Sequence, residues 1–181
     1  MGPAHDSPDA RFERLFRDHA DAVHRYAWRR DADGADDVVA ETFAVAWRRL
    51  AAVPVGTAEL PWLLAVARRV RANALRGQRR RAALTERLGS ERRATTAVAI
   101  VDDLGLHEAL ARLPERDREL LMLVCWEGLD HAATACVMGT TRANVAVRLH
   151  RARRRLARQL RELSDDGAVA AVAAYEEGPH A

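Results

Sequence analysis

Apolar residues recur at helical spacing along most of the chain, and no sustained stretch alternates with a period of two. Steps of three and four place such residues on one face of an amphipathic helix. In the segment 36–50 this face carries Val39, Phe43, Leu50 and either Ala46 or Trp47. Because glycine and proline are also sparse, the pattern predicts an all-α fold.

Breaks in the pattern divide the chain into two small helical domains. Residues 11–81 form the first domain, with loops expected at 31–36 and 51–59. Its helices are expected to begin near Ser7 or Pro8 and at Pro61. Residues 105–163 form the second. A helix there stops before Pro114, which suits the first position of the next helix.

The segments outside the two domains are polar. Residues 1–10 are expected to be a flexible N-terminus, and residues 82–104 a flexible linker that favours mobility between the domains. Residues 164–181 form an acidic, alanine-rich tail. The tail is either disordered and competes for the basic surfaces, or is only a solubilising end.

Charge is segregated along the chain. All 29 basic residues are arginine, and the net charge is only +3. Residues 61–100 carry ten arginines against two acids, and residues 131–163 carry eight against one. Two basic blocks predict two places where a polyanion binds, and the guanidinium fork suits phosphate and guanine. An arginine-rich proteome is the plainer explanation for the missing lysine.

The segment 130–158 has the pattern of a helix-turn-helix, with a short helix, a turn at Gly139 and a longer helix capped by Thr140 or Thr141. The buried stripe of the second helix is predicted to contain Val145, Leu149, Ala152 and Leu156. A separate polar stripe contains Arg142, Asn144, Arg148, Arg151 and Arg155. In a recognition helix the first residues read base edges and later basic residues meet phosphate, so Arg142 and Asn144 are the base-reading candidates. A solvated basic face on an ordinary helical hairpin is the alternative.

The helix that starts at Pro61 carries a second polar face. Its predicted core side contains Leu64, Ala67, Val70 and Ala74. The other face contains Arg69, Asn73, Arg76 and Arg80 at spacings of four, three and four.

Other kinds of chemistry are disfavoured. Cys125, His131, Cys136 and His150 lack the paired spacing of a zinc site, and the cysteines are expected to be small buried residues. No nucleophile elbow or glycine-rich phosphate loop is present, so neither an enzyme nor a cofactor is expected. The longest apolar run, 167–175, is too short to span a membrane. The N-terminus lacks the features of a signal peptide, so the expected location is the cytoplasm.

Two separate segments resemble one family. The stretch Asp36–Trp47, followed by Pro61–Arg69, resembles region 2 of bacterial sigma factors. The stretch Leu110–Glu119, the helix-turn-helix and Arg148–Arg153 resemble region 4. Their order and spacing over residues 11–163 are similar to those of the extracytoplasmic-function group, which keeps only these two domains.

The resemblance implies a function. Such a protein binds core RNA polymerase and promoter DNA, and directs initiation by recognising the minus-35 and minus-10 elements and assisting strand opening. Asp36, Asp37 and Glu41 would meet the β′ clamp helices, while Phe43 belongs to the core. Asp36 and its neighbours also suit a helix N-terminus, where acids complement the macrodipole.

The resemblance also distributes the basic residues. The loop 51–60 and the face Arg69, Asn73, Arg76 and Arg80 would bind the minus-10 element. Region 4 would read the minus-35 element and hold the β flap, and an anti-sigma protein is a further partner that the family allows. Thr134 departs from the family pattern, which implies either looser packing or a hydrogen bond back to its own helix.

Two other functions are open at this stage. One is a stand-alone helix-turn-helix regulator, and the other is a polymerase-binding regulator without initiation activity. A simple repressor has no need of the acidic helix near Asp36, so the presence of that helix discriminates between these two functions.

Overall fold

The computed structural model describes residues 7–86 and 104–176, with side chains described for 7–81 and 105–164. All the regular elements in these ranges are helices, as predicted. We refer to 7–86 as the N-terminal domain and 104–176 as the C-terminal domain. The α-helices are α1 (Pro8–Trp28), α2 (Ala35–Arg48), α3 (Glu59–Glu86), α4 (Leu104–Ala111), α5 (Glu115–Cys125), α6 (His131–Met138) and α7 (Arg142–Glu176).

The N-terminal domain packs α1, α2 and α3 around one apolar core. Phe43 is buried there, as expected, and Ala46 takes the inward position that the spacing left open between Ala46 and Trp47. Trp47 and Phe16 are each 46% exposed. Phe16 packs edge-on against Phe43 with ring centroids 4.8 Å apart. The prediction that Ala74 faces the core is wrong, because it is exposed.

The connection between α2 and α3 is more ordered than a simple loop. It contains two short 3-10 turns, Leu50–Ala52 and Gly56–Ala58. Helix α3 begins at Glu59, two positions before Pro61, and the Glu59 carboxylate accepts a hydrogen bond from the Gly56 N–H at 3.3 Å. Proline is tolerated in the first helical turn because its missing N–H would have no intrahelical partner.

The C-terminal domain contains the predicted helix-turn-helix, formed by α6 and α7. The Asp130 side chain caps α6 by accepting from the Ala133 N–H at 2.7 Å. Gly139 ends α6 with a φ of 63°, a left-handed conformation that glycine adopts without strain. The Thr141 hydroxyl accepts from the Asn144 N–H at 3.2 Å, so the predicted cap of α7 is confirmed. Pro114 lies just before α5, one position earlier than predicted.

Several local expectations are corrected. Thr134 does not bond back to its helix, since its hydroxyl is buried without a hydrogen-bond partner. Cys125 and Cys136 are both exposed, not buried. Helix α3 continues through Glu86 into the predicted linker, and α7 continues through Glu176 into the predicted tail. Residues 1–6, 87–103 and 177–181 lie outside the described ranges.

The two domains are docked on each other, whereas the sequence alone predicts mobility between them. Helix α6 packs along α3. Leu123, Leu129 and Val137 of the C-terminal domain belong to the same buried cluster as Tyr26 and Leu64 of the N-terminal domain. A continuous apolar core therefore crosses the domain boundary.

A buried ion-pair network also crosses this boundary. The Arg30 Nε donates to Glu119 at 2.8 Å, and Arg30 Nη1 donates to Glu127 at 3.0 Å. The Tyr26 hydroxyl donates to Glu119 at 2.9 Å, and the Arg30 guanidinium lies 3.7 Å from the centre of the Tyr26 ring. Arg29 adds a 2.8 Å bond to Glu127. We call these five residues the interdomain network.

Burial and the neighbouring charges together set the ionisation of the network. Burial alone raises the pKa of Glu119, but the charge and hydrogen bond of Arg30, with the hydrogen bond of Tyr26, bring it below its ordinary value of 4.5. Burial and the neighbouring Glu119 charge raise the pKa of Tyr26 above its ordinary value of 10.0. The native network therefore contains an ionised Glu119 and a neutral Tyr26 at neutral pH.

We predict that Tyr26→Phe lowers the free energy of unfolding by about 1.5 to 3 kcal/mol at pH 7, the usual contribution of a hydrogen bond to a charged group. Because the pKa of Glu119 is lowered in the folded state, its contribution to stability is present above its unfolded pKa and is lost as pH falls through its folded pKa. The difference from wild type should therefore shrink below about pH 4.5. The raised pKa of Tyr26 destabilises the fold above the pKa of the unfolded tyrosine. Above about pH 10 wild type should therefore lose stability through Tyr26, whereas Tyr26→Phe should not.

The measurement is urea unfolding from pH 3 to 11, followed by circular dichroism. Parallel pH profiles for wild type and variant would contradict the assignment of this hydrogen bond.

Candidate nucleic-acid interface

The first turns of α7 present a cationic face to solvent. Arg142, Asn144, Arg148 and Arg151 are all exposed. On the opposite side Val145, Leu149 and Ala152 are buried in the core of the C-terminal domain. The predicted buried stripe is confirmed at these three positions, while Leu156 is half-buried against the same core. The stripe fixes the rotation of α7 so that the four polar side chains point outward.

Asn144 is held close to the start of α7. Its side-chain Nδ2 donates to the Thr140 hydroxyl at 3.3 Å, and its backbone N–H is capped by Thr141. The amide is therefore positioned in the first turn, where a recognition helix meets base edges.

Arg155 differs from the other arginines of the stripe. Its Nη1 is bonded to the Asp117 carboxylate on α5. The Asp117 side chain is only 8% exposed and that of Arg155 is 49% exposed. This guanidinium is engaged within its own domain. The sequence pattern does not reveal the pair because the two residues are 38 positions apart.

Val147 is an apolar side chain on the exposed side of α7 that the sequence pattern did not single out. It is 51% exposed and follows Asn144 by three positions and precedes Arg151 by four, so it shares their side of the helix. Its position off the buried stripe of Val145 and Leu149 is the sequence signal that indicates it. An apolar side chain among cations can contact a thymine methyl group.

A second cationic face runs along α3. Arg69, Asn73, Arg76 and Arg80 are exposed at the predicted spacing, and Arg76 donates to the Asn73 side chain. Arg71, on the same helix, instead turns toward the domain boundary, with 3.8 Å to both Glu115 and Glu119. The helix thus divides its arginines between solvent and the C-terminal domain.

The third charged surface is acidic and lies on α2. Asp36, Asp37 and Glu41 are exposed, and Glu41 accepts from Arg48 at 2.9 Å. The exposed Trp47 ring lies on the same helix, where it packs at 5.1 Å against the Phe12 ring. Exposed carboxylates beside an aromatic surface can dock on a basic helical partner.

Two further findings concern the described ranges. Within 7–86 and 104–176 no three His, Cys, Asp or Glu residues are grouped to hold a metal ion. No helix described there is long and apolar enough to cross a membrane.

Comparison with family models finds two adjacent domains of one family. The model described as "Sigma-70 region 2" matches residues 15–81, and the model described as "Sigma-70, region 4" matches residues 104–156. Their boundaries follow those of the N-terminal and C-terminal domains.

Individual proteins give the same result. The chain is 33% identical over 158 residues to the ECF RNA polymerase sigma factor SigL of Mycobacterium tuberculosis, covering 82% of this chain and 88% of that protein. It is 30% identical over 145 residues to the probable RNA polymerase sigma factor RfaY of Xanthomonas campestris, covering 75% of this chain and 36% of that longer protein.

Among solved structures, the sigma factor RpoE of Bartonella quintana, in complex with the anti-sigma factor NepR, matches with a TM-score of 0.66. Sequence identity is 23%, with coverage of 83% of this chain and 96% of that one. This likeness shows that the fold is shared.

We predict that Asp117→Asn releases Arg155 to bind a DNA phosphate. Each phosphate contact contributes roughly 0.9 to the slope of log affinity against log salt, so the slope should steepen by about one. The measurement is fluorescence anisotropy with a labelled duplex from 50 to 300 mM NaCl.

The matched control is Glu108→Gln, which breaks the exposed Arg112–Glu108 pair and changes the net charge equally. Equal slopes for the two variants would mean that only net charge matters and that Arg155 gains no contact.

Proposed function

The chain belongs to the sigma-70 family, as an extracytoplasmic-function sigma factor that directs promoter-specific transcription initiation by RNA polymerase. We propose that each of its three charged surfaces carries out a different part of that task. The observation that supports the division is their separation. One cationic face lies on α7, a second on α3, and the acidic face on α2.

The α7 face binds the minus-35 element in the major groove. Arg142 reads guanine through O6 and N7, and Asn144 reads adenine, each contact contributing about 1 to 3 kcal/mol of discrimination. Arg148 and Arg151 bind the phosphates that flank the element. Val147 contacts a thymine methyl group. Arg155 is left out of the initial contact set because Asp117 already neutralises it.

The α3 face binds the minus-10 element and helps to open it. Arg69, Asn73, Arg76 and Arg80 supply contacts to phosphates and unstacked bases. The preceding connection has no aromatic residue, so stacking on a ring does not hold the displaced base there. Val55 of this connection is 78% exposed, next to Gly56 with its φ of 74°. It offers an apolar contact to a base that has left the helix.

The acidic α2 face docks on core RNA polymerase. Asp36, Asp37 and Glu41 meet basic groups of the β′ clamp helices, while the C-terminal domain contacts the β flap. The chain acts by binding and strand capture and carries out no covalent step, in the cytoplasm where RNA polymerase works. An anti-sigma protein is a further partner, as in the complex of RpoE with NepR.

A stand-alone helix-turn-helix regulator is not favoured. Such a protein needs neither the N-terminal domain nor its acidic face, and both domains match one family in the family's order.

The experiment that tests the proposal is run-off transcription with bacterial core RNA polymerase on a genomic fragment library, with sequencing of the transcript starts. New starts that share two spaced upstream motifs support it and supply the promoter sequence. Core binding without starts supports a polymerase-binding regulator, and binding to duplex DNA alone supports a repressor.

We predict that Arg142→Ala lowers affinity for the cognate minus-35 duplex by about 1 to 3 kcal/mol while scarcely changing affinity for a duplex substituted at one guanine. Arg151→Ala, the matched control on the same face, should weaken binding to both duplexes alike because phosphates carry no sequence. Anisotropy titrations of both duplexes measure the difference. Equal losses on the two duplexes with Arg142→Ala would remove it from the base-reading set.

We predict that Asp37→Arg/Glu41→Arg weakens binding to core RNA polymerase at least tenfold, because cations would then face the basic clamp helices. Glu13→Arg/Asp21→Arg on α1 is the control, since both residues are exposed and the charge change is the same. Binding is measured by titration of labelled core polymerase, with helix content checked by circular dichroism. Unchanged affinity of the α2 variant would refute the placement of the polymerase surface.

A further inference from the structure

The connection between α2 and α3 is attached to α1 at two points. Arg11 Nη2 donates to the Val53 carbonyl at 2.6 Å, and His19 Nε2 donates to Oε2 of Glu59 at 2.9 Å. The other oxygen of Glu59, Oε1, accepts from the Gly56 N–H at 3.3 Å, so this carboxylate links the turn before α3 to α1. The part of the connection that starts at Val53 is therefore held at both ends by one neighbouring helix.

The core of the N-terminal domain places the two α1 residues for these contacts. Arg11, Leu15 and His19 follow one another at intervals of four, so they share one side of α1. Leu15 is buried in the core and fixes the direction in which that side points. The side chains of His19 and Glu59 are only 18% and 23% exposed, so water competes little with their hydrogen bond.

Between the two attachments the backbone presents one apolar side chain to solvent. Val53 is 3% exposed, whereas Val55, two positions later, is 78% exposed. Pro54 favours an extended residue before it, and Val53 has a φ of −67° and a ψ of 123°. Gly56 then turns the chain with its left-handed φ of 74°. Val55 thus stands out from the domain at a position that its neighbours fix.

A loop that receives a displaced base binds it more tightly when the loop is already ordered. Fixing the backbone during binding costs conformational entropy, and contacts made beforehand remove that cost. This connection has no aromatic ring on which a base could stack. Its affinity for a base must therefore come from the shape of its backbone and from Val55, which makes it sensitive to the α1 contacts.

We propose that Arg11 and His19 are positioning residues for the minus-10 element, which act from α1 to hold segment 53–59 in the shape that presents Val55 to the displaced base. The inference rests on the proposed function, because it needs this connection to meet the minus-10 element. The two residues act through Val53 and Glu59 and not by contacting DNA. Helix α1 thereby takes part in capturing the open strand.

Two variants remove the attachments one at a time. Arg11→Ala has Arg17→Ala as its matched control, because Arg17 is exposed on the same helix and the charge change is the same. His19→Ala has His24→Ala as its control, because His24 pairs with Asp36 at 3.4 Å, at the end of α2 that lies away from the connection. Arg11→Lys keeps a cationic donor and should restore part of what Arg11→Ala loses.

The first measurement is amide hydrogen exchange of the full chain, read by mass spectrometry, with circular dichroism to check helix content. Arg11→Ala and His19→Ala should each speed exchange in segment 53–59 several-fold relative to their controls, and Arg11→Lys should lie between Arg11→Ala and wild type. Exchange equal to that of the controls would overturn the positioning role. Equal acceleration throughout the N-terminal domain would overturn it too, because that result indicates a general loss of stability.

The second measurement uses the chain assembled with core RNA polymerase and a labelled fork-shaped DNA whose minus-10 strand is unpaired, with the sequence taken from the transcript starts. Arg11→Ala should weaken binding to this fork about tenfold relative to Arg17→Ala, because the loop must then be ordered during binding. Both variants, as free chains, should bind an isolated minus-35 duplex equally. In a Val55→Ala background the loss caused by Arg11→Ala should shrink, because the two residues serve one contact. Unchanged fork affinity, or equal losses in the two backgrounds, would overturn the proposal.

The two measurements separate this inference from the proposed function. Absence of transcript starts with wild type would refute the proposed function, while the exchange measurement would still decide whether α1 holds segment 53–59. Normal transcription with wild type, together with fork affinity that Arg11→Ala leaves unchanged, would overturn the positioning role alone.

Discussion

The structure depends on the ion pair between Arg30 and Glu119, which lies where the apolar core continues from one domain into the other. Both groups are almost entirely removed from water, so each requires the other to be charged and in place. Around them Leu123, Leu129 and Val137 extend the core of the N-terminal domain. The ion pair and this apolar packing together fix the relative position of the two cationic faces.

Within the C-terminal domain the controlling constraint is apolar. Val145, Leu149 and Ala152 anchor one side of α7, and because the helix is rigid the opposite side must carry its polar residues into solvent. The affinity of such a face for DNA comes from its charge, and its selectivity comes from the few side chains in the first turn. The charge pattern alone does not reveal that a carboxylate from α5 already pairs with Arg155.

Local structure could be predicted from the sequence because its causes are local. The Gly139 turn, the Thr141 cap and the inward positions of Phe43 and Val145 each follow from a few neighbouring residues. The interdomain network could not be predicted in this way, because Arg30 and Glu119 are 89 positions apart. In the sequence Arg30 is only one arginine of a basic dipeptide, and Glu119 one acid in a mixed run. The exposed Phe16, Cys125 and Cys136 show the same limit, since residue type favours burial but only packing decides it.

The domain boundary combines buried charges with apolar packing, since Leu123 and Val137 lie in the same buried cluster as Leu64. Separating the domains would expose this apolar surface, with a free-energy cost proportional to its area. Carboxylates and guanidinium groups regain hydration instead, which offsets part of the interaction lost. Arg30 has one guanidinium nitrogen, Nη2, that is buried without a hydrogen-bond partner in the docked arrangement. An unsatisfied buried donor makes docking less favourable than full pairing would, so the same residue that specifies the docked arrangement also limits its stability.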